Sequence, residues 1–273
     1  MRIVTELHEM QELAIEIFTS FKSFCEQKDL KYYLACGTLI GAIRHNGFIP
    51  WDDDIDVWVP RKDFDRLCSL FPEWGEKNNL YINCPSQTKG YDRAFAQICL
   101  ANTHLQMHGY KSAYNEGYFI DVFPIDGLPA SRVMKWLRLT HLQILKNIGS
   151  MISYDTNMNT MPGIKGKILT CGHYIFGKMD SQKVMQRYET VARKSPIDKS
   201  DSVQIQYCNT GGRNLVLPYE CFAEPEHHLF EKMDCTIPKG YDAVLKQIYG
   251  DYMTLPPIDS RAPHHSFDLE IDI

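Results

Sequence analysis

The stretch Trp51-Asp-Asp-Asp-Ile-Asp-Val-Trp58 sets four carboxylates within five positions and surrounds them with apolar residues that run on through Val59. Acidic runs are ordinarily solvated turns. A solvated turn has no use for Trp51, Ile55, Val57, Trp58 and Val59, which belong to a β-strand and a core. Ionised carboxylates in such company are costly unless they are paired or bound to a metal, so the chain must gather the charges on one side and oppose them. Read as a strand ending at Pro60, the segment alternates: Asp54 and Asp56 share one face, about 7 Å apart, while Ile55, Val57 and Val59 take the other. Asp52 and Asp53 fall in the preceding loop, opened by Gly47 and Pro50. They are read as orienting that loop or metal-bound waters rather than as ligands.

Around this segment the periodicity predicts an α+β chain, a mixed sheet flanked by helices. Over residues 6–28, Met10, Leu13, Ile17, Phe21 and Phe24 recur at three- and four-residue steps, the mark of an amphipathic helix. Residues 32–36 read as a strand, Gly37-Thr38 as its closing turn and 39–44 as a short helix. The start of that helix offers unpaired amides to an anion, which makes Gly37 and Thr38 candidate phosphate contacts. Arg44 and His45 could also meet a phosphate, or cap the helix, or face solvent. Residues 61–71 suit a helix with Phe64, Leu67 and either Leu70 or Phe71 inward, ended by Pro72, with Arg61 and Lys62 at its exposed start. Further strands are predicted over 80–83, 93–100 and 118–123. The last, Tyr118-Phe-Ile-Asp-Val-Phe-Pro124, is apolar except for Asp121, whose charge needs a partner. Asp121 is therefore the third candidate acid.

Beyond residue 130 the pattern turns helical, over 133–152, 164–179 and 181–193, with Pro162-Gly163 between the first two. We divide the chain into a catalytic core (1–130), a helical insertion (131–200) and a C-terminal segment that completes the core (201–273). That last part carries short strands, the turn Thr210-Gly-Gly212 and a helix over 241–249 capped by Gly250. Pro256-Pro257 and the acidic tail are expected to wrap the surface.

Charge excludes one class of partner. A formal net charge of −5 argues against nucleic acid, whose binding is driven by lysine and arginine. Residues 131–187 nevertheless hold nine Lys or Arg against two Asp, a local +7 that leaves −12 on the rest. Such a basic amphipathic surface suits peripheral contact with a membrane face, or simple solvation. The N-terminus lacks the apolar core of a secretory signal, and no run of about 18 apolar residues is present. Nine cysteines, odd in number and without a Cys-x-x-Cys pair, fit reduced thiols and a cytoplasmic setting. For zinc, only the adjacent pairs His227-His228 and His264-His265 come near, and adjacent side chains usually point apart.

Three convergent carboxylates suit hard divalent cations, magnesium first, which bridge phosphate oxygens and offset charge in phosphoryl transfer. An acidic calcium loop is a rival reading, although the segment lacks that loop's central glycine and terminal glutamate. A metal-dependent glycosyltransferase also uses Asp-x-Asp, yet usually after several strand–helix alternations, where only one helix and one strand precede it here.

The stretch Cys36-Gly-Thr-Leu-Ile-Gly-Ala-Ile-Arg-His-Asn-Gly-Phe-Ile-Pro-Trp-Asp-Asp-Asp-Ile-Asp-Val57 closely resembles the LicD family. Phe119-Ile-Asp-Val-Phe-Pro-Ile-Asp126 and the region from Ile237-Pro-Lys-Gly-Tyr-Asp242 to Pro257 extend the likeness. The resemblance implies a nucleotidyltransferase-like fold and the transfer of a phosphoalcohol, typically phosphocholine from CDP-choline, to a sugar hydroxyl. The acceptor it implies is a surface glycan such as teichoic acid, lipopolysaccharide or a capsule precursor, often lipid-linked. Fukutin-like ribitol-phosphate transferases look similar at this core. The superfamily pattern maps onto Gly37-Thr38, then Asp54 and Asp56, then Asp121. By that resemblance two Mg²⁺ ions hold the donor pyrophosphate, Asp121 helps deprotonate the acceptor and CMP leaves. Thr38 stands where Gly or Ser is usual, and Gln97 where a lysine is expected. Glycerol, ribitol and ethanolamine donors stay open, as does nucleotidyl transfer by the same acids. A choline head group would want aromatic faces, for which Trp51, Trp58, Tyr110, Tyr114, Tyr118 and Tyr207 offer themselves.

Overall fold

The computed structural model describes residues 1–108, 112–154, 156, 163–210, 213–262 and 267–272, with 206–210, 213 and 214 described by backbone alone. In chain order these form β1 (Arg2–Ile3), α1 (Leu7–Lys28), β2 (Tyr33–Leu34), α2 (Cys36–His45), β3 (Asp56–Pro60), α3 (Arg61–Lys77), β4 (Leu80–Asn83), β5 (Ala96–Leu100), β6 (Thr103–Met107) and β7 (Phe119–Gly127). There follow α4 (Arg132–Ser153), α5 (Ile164–Phe176), α6 (Ser181–Ala192), β8 (Ser202–Thr210), β9 (Arg213–Pro218), β10 (Pro225–Phe230), β11 (Met233–Pro238), α7 (Tyr241–Tyr249) and β12 (Phe267–Ile271).

The fold is mixed α/β. Its main sheet runs β2-β3-β7-β5-β4, and β8 and β9 extend it from the far end of β7. Only β3 and β7 run parallel; the other pairings are antiparallel. Two small sheets accompany it, β1-β12-β6 and the hairpin β10-β11. Along α1 the apolar spacing buries Leu13, Ile17, Phe21 and Phe24, with Met10 half-buried at the margin. Phe24 meets Phe71 and Trp74 of α3 edge-on or tilted at 5.0 and 5.8 Å, which locks the two helices together beside the sheet.

Several elements differ from the sequence expectation for physical reasons. Pro72 does not end α3, which continues to Lys77. A proline leaves the carbonyl four residues back without its helical donor. Here that carbonyl, on Cys68, accepts from Gln87 Nε2 at 2.8 Å. Buried Phe71 and Gly75 then carry the helix onward, with Gly75 so close to the Leu80 carbonyl that a Cβ would lie 2.6 Å from it. Strand β7 likewise passes through Pro124 to Gly127, and the acidic tail is the central strand of β1-β12-β6 rather than a surface wrap. Of the turn at 210–212, Gly211 and Gly212 lie outside the described residues.

Arg61 is not an exposed helix start. It is buried, donating to Asp126 of β7 at 2.6 and 2.8 Å and to Glu189 of α6 at 2.6 and 3.1 Å. Both carboxylates use a fork–fork geometry that lysine cannot supply. This clamp joins the sheet to the three-helix insertion, whose own core of Leu142, Val184, Met185, Tyr188, Val191 and Ala192 also receives Ala94 from the strand-bearing part.

Candidate metal and phosphate site

Asp56 opens β3 and stands directly opposite Asp121 of β7, in register. Residues paired across neighbouring strands project from the same face, so the two carboxylates are neighbours by construction. Gln97 of β5 pairs with Asp121 on its other side, and Asn83 of β4 pairs with Gln97. The result is a polar row, Asn83, Gln97, Asp121, Asp56, across four strands of the main sheet. Gln97, only 1% exposed, donates its Nε2 to Asp121 Oδ1 at 2.9 Å. Exposure rises toward the Asp56 end of the row.

Asp54 is not in the strand, since pairing begins only at Asp56. It belongs instead with Asp52 and Asp53. One carboxylate oxygen from each of the three lies within 4.8 Å of the others, and Asp52 and Asp53 are 3% and 2% exposed. Asp52 and Asp53 are thus drawn in beside Asp54, rather than set back behind it as the alternation suggested. Like charges this close repel, and a divalent cation with oxygen preference is what such a donor set offsets best. Among the described residues this is the single metal-type cluster.

The loop is held from several sides. Gln11 Nε2 donates to the Asp52 carbonyl at 2.9 Å, and the Tyr118 hydroxyl donates to the Asp53 carbonyl. Burial, and then the charges of Asp53, Asp54 and Asp52, push the Tyr118 phenol well above its ordinary range, so it stays a donor. Gly37 and Thr38 sit in the first turn of α2, entered through Cys36 at φ 44. Asp52 comes so close that a Cβ at position 37 would lie 2.5 Å from its Oδ2. Thr38 Oγ1 accepts from the Asp56 amide at 2.9 Å, fixing the point where loop becomes strand. These two residues are therefore tied to the acids themselves.

Arg44 and His45 lie at the opposite end of α2. Arg44 Nη1 donates to the Tyr252 carbonyl at 2.8 Å and its Nε to His45 Nε2 at 2.9 Å. Burial, then Arg261, lowers the Arg44 pKa, and burial, then Arg44, lowers that of His45, leaving a neutral imidazole as acceptor. Their contacts anchor the C-terminal segment. Of the aromatic candidates, Trp51 lies beneath the Arg261 guanidinium at 5.3 Å, Trp58 is fully buried against Phe222, and Tyr114 donates to Asp92 at 3.0 Å. Tyr110 and the Tyr207 side chain lie outside the described residues, as do His264 and His265. No cage is formed by those described.

Sequence reading did not single out the cleft beside Asp121, of about 230 Å³, lined among others by Asp92, Arg93, Phe95, Phe119 and the α4 residues Ser150 and Ser153. Arg93 donates to Glu116 at 2.7 Å and lies over Phe95 and Phe119 at 6.0 and 5.9 Å. Burial opposes its charge, but Tyr114, Tyr91, Glu116 and Asp121 outweigh burial and keep it protonated. A cation, an acid and a small apolar wall thus face one space.

Residues 29–139, which include all seven candidates from Gly37 to Asp121, match a family model described as LicD/FKTN/FKRP, nucleotidyltransferase domain. The chain is 31% identical over 265 residues to the lipopolysaccharide cholinephosphotransferase LicD of Haemophilus influenzae, covering 95% of this chain and 96% of that protein. An uncharacterized protein of Rickettsia typhi shares 36% identity over 64 residues, 21% of each chain. A second, of Rickettsia prowazekii, shares 34% over 73 residues, 27% of this chain and 24% of its own.

Proposed function

This chain belongs to the LicD family, and on that premise we propose that it transfers phosphocholine from CDP-choline to a sugar hydroxyl of a cell-surface glycan, lipopolysaccharide being the acceptor that the Haemophilus relative's name supports. The observation that carries the reading is the in-register opposition of Asp56 and Asp121, with the Asp52–Asp53–Asp54 cluster just ahead of β3. Teichoic acid and capsule precursors belong to the same acceptor chemistry. We further assign the core to the nucleotidyltransferase-like fold.

The donor set fits Mg²⁺: every group is a carboxylate oxygen, and hard cations prefer such ligands. Asp54 and Asp56, with Asp121, would hold it, and Asp52 and Asp53 are near enough to share the task. When bound, magnesium supplies charge neutralisation on the donor's phosphate oxygens. The chain's own residues do the rest. Asp121, fixed by Gln97, takes the proton of the acceptor hydroxyl. The freed oxygen forms a bond to the phosphorus bearing choline, and the bond from that phosphorus to the CMP oxygen breaks. Arg93 lies in the same cleft as Asp121 and suits a phosphate oxygen of the donor. Glu116 would yield one of its contacts in exchange. Gly37 and Thr38 keep the acid loop in place during turnover.

The test is CMP release from CDP-choline with Mg²⁺ and a lipopolysaccharide acceptor. Asp54→Asn, Asp56→Asn and Asp121→Asn are each expected to lower it by about a hundredfold or more with unchanged circular dichroism. Turnover retained in these variants sinks the assignment of the acids. Turnover with CDP-glycerol, CDP-ribitol or CDP-ethanolamine and not CDP-choline would move the donor, and pyrophosphate release from a nucleoside triphosphate would make the chain a nucleotidyltransferase.

A further inference from the structure

Helices α4 and α5 each carry apolar residues on their outer face. On α4 the exposed positions Val133, Trp136, Leu137, Thr140 and Ile144 follow three- and four-residue steps and form one stripe, about 16 Å long at the helical rise. Val133 is 66%, Trp136 64% and Ile144 52% exposed. The inward face holds Leu142, Lys146 and Gly149, with Leu145, Ile148 and Ile152 half-buried against the insertion's core. Helix α5 is arranged the same way. It buries Gly166 and Gly172, the latter so close to Met151 that a Cβ would lie 2.4 Å from its sulfur. Ile164, Ile168, Tyr174 and Ile175 are left exposed.

An amphipathic helix of a water-bathed domain points its stripe at the core. These two carry apolar stripes that also face away from it, and large exposed apolar surfaces mark contact sites. Charge identifies the contact. Neither α4 nor α5 contains a single Asp or Glu, while Arg132, Lys165 and Lys167 are exposed on them and Lys178 follows closely. Apolar side chains, an outward Trp and Tyr, and unopposed cations are the composition of a helix lying in the boundary of an anionic bilayer. No described helix is long and apolar enough to cross one.

We propose that the outer faces of α4 and α5 dock on an anionic lipid surface, lying in its headgroup layer. The last turns of α4, at Ser150 and Ser153, line the cleft beside Asp121. One helix therefore reaches from the bilayer contact to the reaction cleft. The inference stands on these two helix surfaces and not on the identity of the donor.

The full chain should co-sediment with vesicles of phosphatidylcholine and phosphatidylglycerol in equal parts, and poorly with phosphatidylcholine alone. Trp136→Ser with Ile144→Ser, both at exposed positions, should lower the bound fraction by about tenfold or more. Lys165→Glu with Lys167→Glu should do likewise. Both variants should keep the parent's thermal midpoint and its CMP release with a water-soluble acceptor. Absence of binding to the anionic vesicles overturns the proposal, as does undiminished binding by the apolar variant. A lipid-independent dimer that Trp136→Ser with Ile144→Ser dissolves also overturns it, assigning the face to a second copy of the chain. Vesicle binding without turnover would fault the proposed reaction alone.

Discussion

Gln97 reaches across one strand pair to hold a single oxygen of Asp121, from a position almost closed to solvent. A carboxylate so fixed presents its other oxygen in a constant direction, which is what proton transfer to a positioned base requires. Gln97→Leu removes that donor while preserving bulk. We expect kcat to fall by about tenfold or more with donor KM little changed. An unchanged kcat with reduced stability alone would make Gln97 purely structural. Asp56 and Asp121 were legible in the sequence because a carboxylate in an apolar strand is an anomaly wherever the strand goes. Gln97 and Asn83 were not, since a neutral amide in a strand raises no alarm until the pairing shows what stands beside it. Nor did alternation foresee Asp52 and Asp53, because a period of two holds only inside a strand and pairing starts at Asp56.

The elements tell the same story. Apolar periodicity gave α1, α4, α6 and α7 nearly to their ends, because burial of one face decides them. Pro72 and Pro124 misled because local backbone rules were overruled by a partner from elsewhere: the Gln87 side chain at the first, and at the second the parallel strand β3. Arg61 misled for a related reason, as its partners lie 65 and 128 residues away. Within that clamp Glu189 carries a pKa raised from 4.5, by burial first, against the opposing pull of Arg61. A carboxyl group raised on folding favours the folded state below its unfolded pKa, and that advantage is lost as pH climbs through the folded value. Urea midpoints of the wild type should therefore decline relative to Glu189→Gln as pH rises above 4.5, then keep a constant gap. A wild-type midpoint that holds level with that of Glu189→Gln, or rises against it, over this range contradicts the assignment.

At the scale of the whole molecule, the strand-bearing part and the helical insertion share Ala94 and the Arg61 clamp. We expect one cooperative urea transition by both tryptophan fluorescence, to which Trp58 and Trp74 contribute from the strand-bearing part, and far-ultraviolet dichroism, which reports α4–α6 together with α1–α3 and α7; separated transitions would show that the parts melt independently. Breaking a buried pair from one side typically costs about 3–5 kcal/mol, so Arg61 weighs on both parts at once. A consequence follows for how such chains can be recombined. The insertion looks like a cassette, bounded near residues 131 and 200, yet position 189 answers to position 61. A graft that exchanges the helices between relatives must keep that acid in place, or carry position 61 and its strand partner along with it.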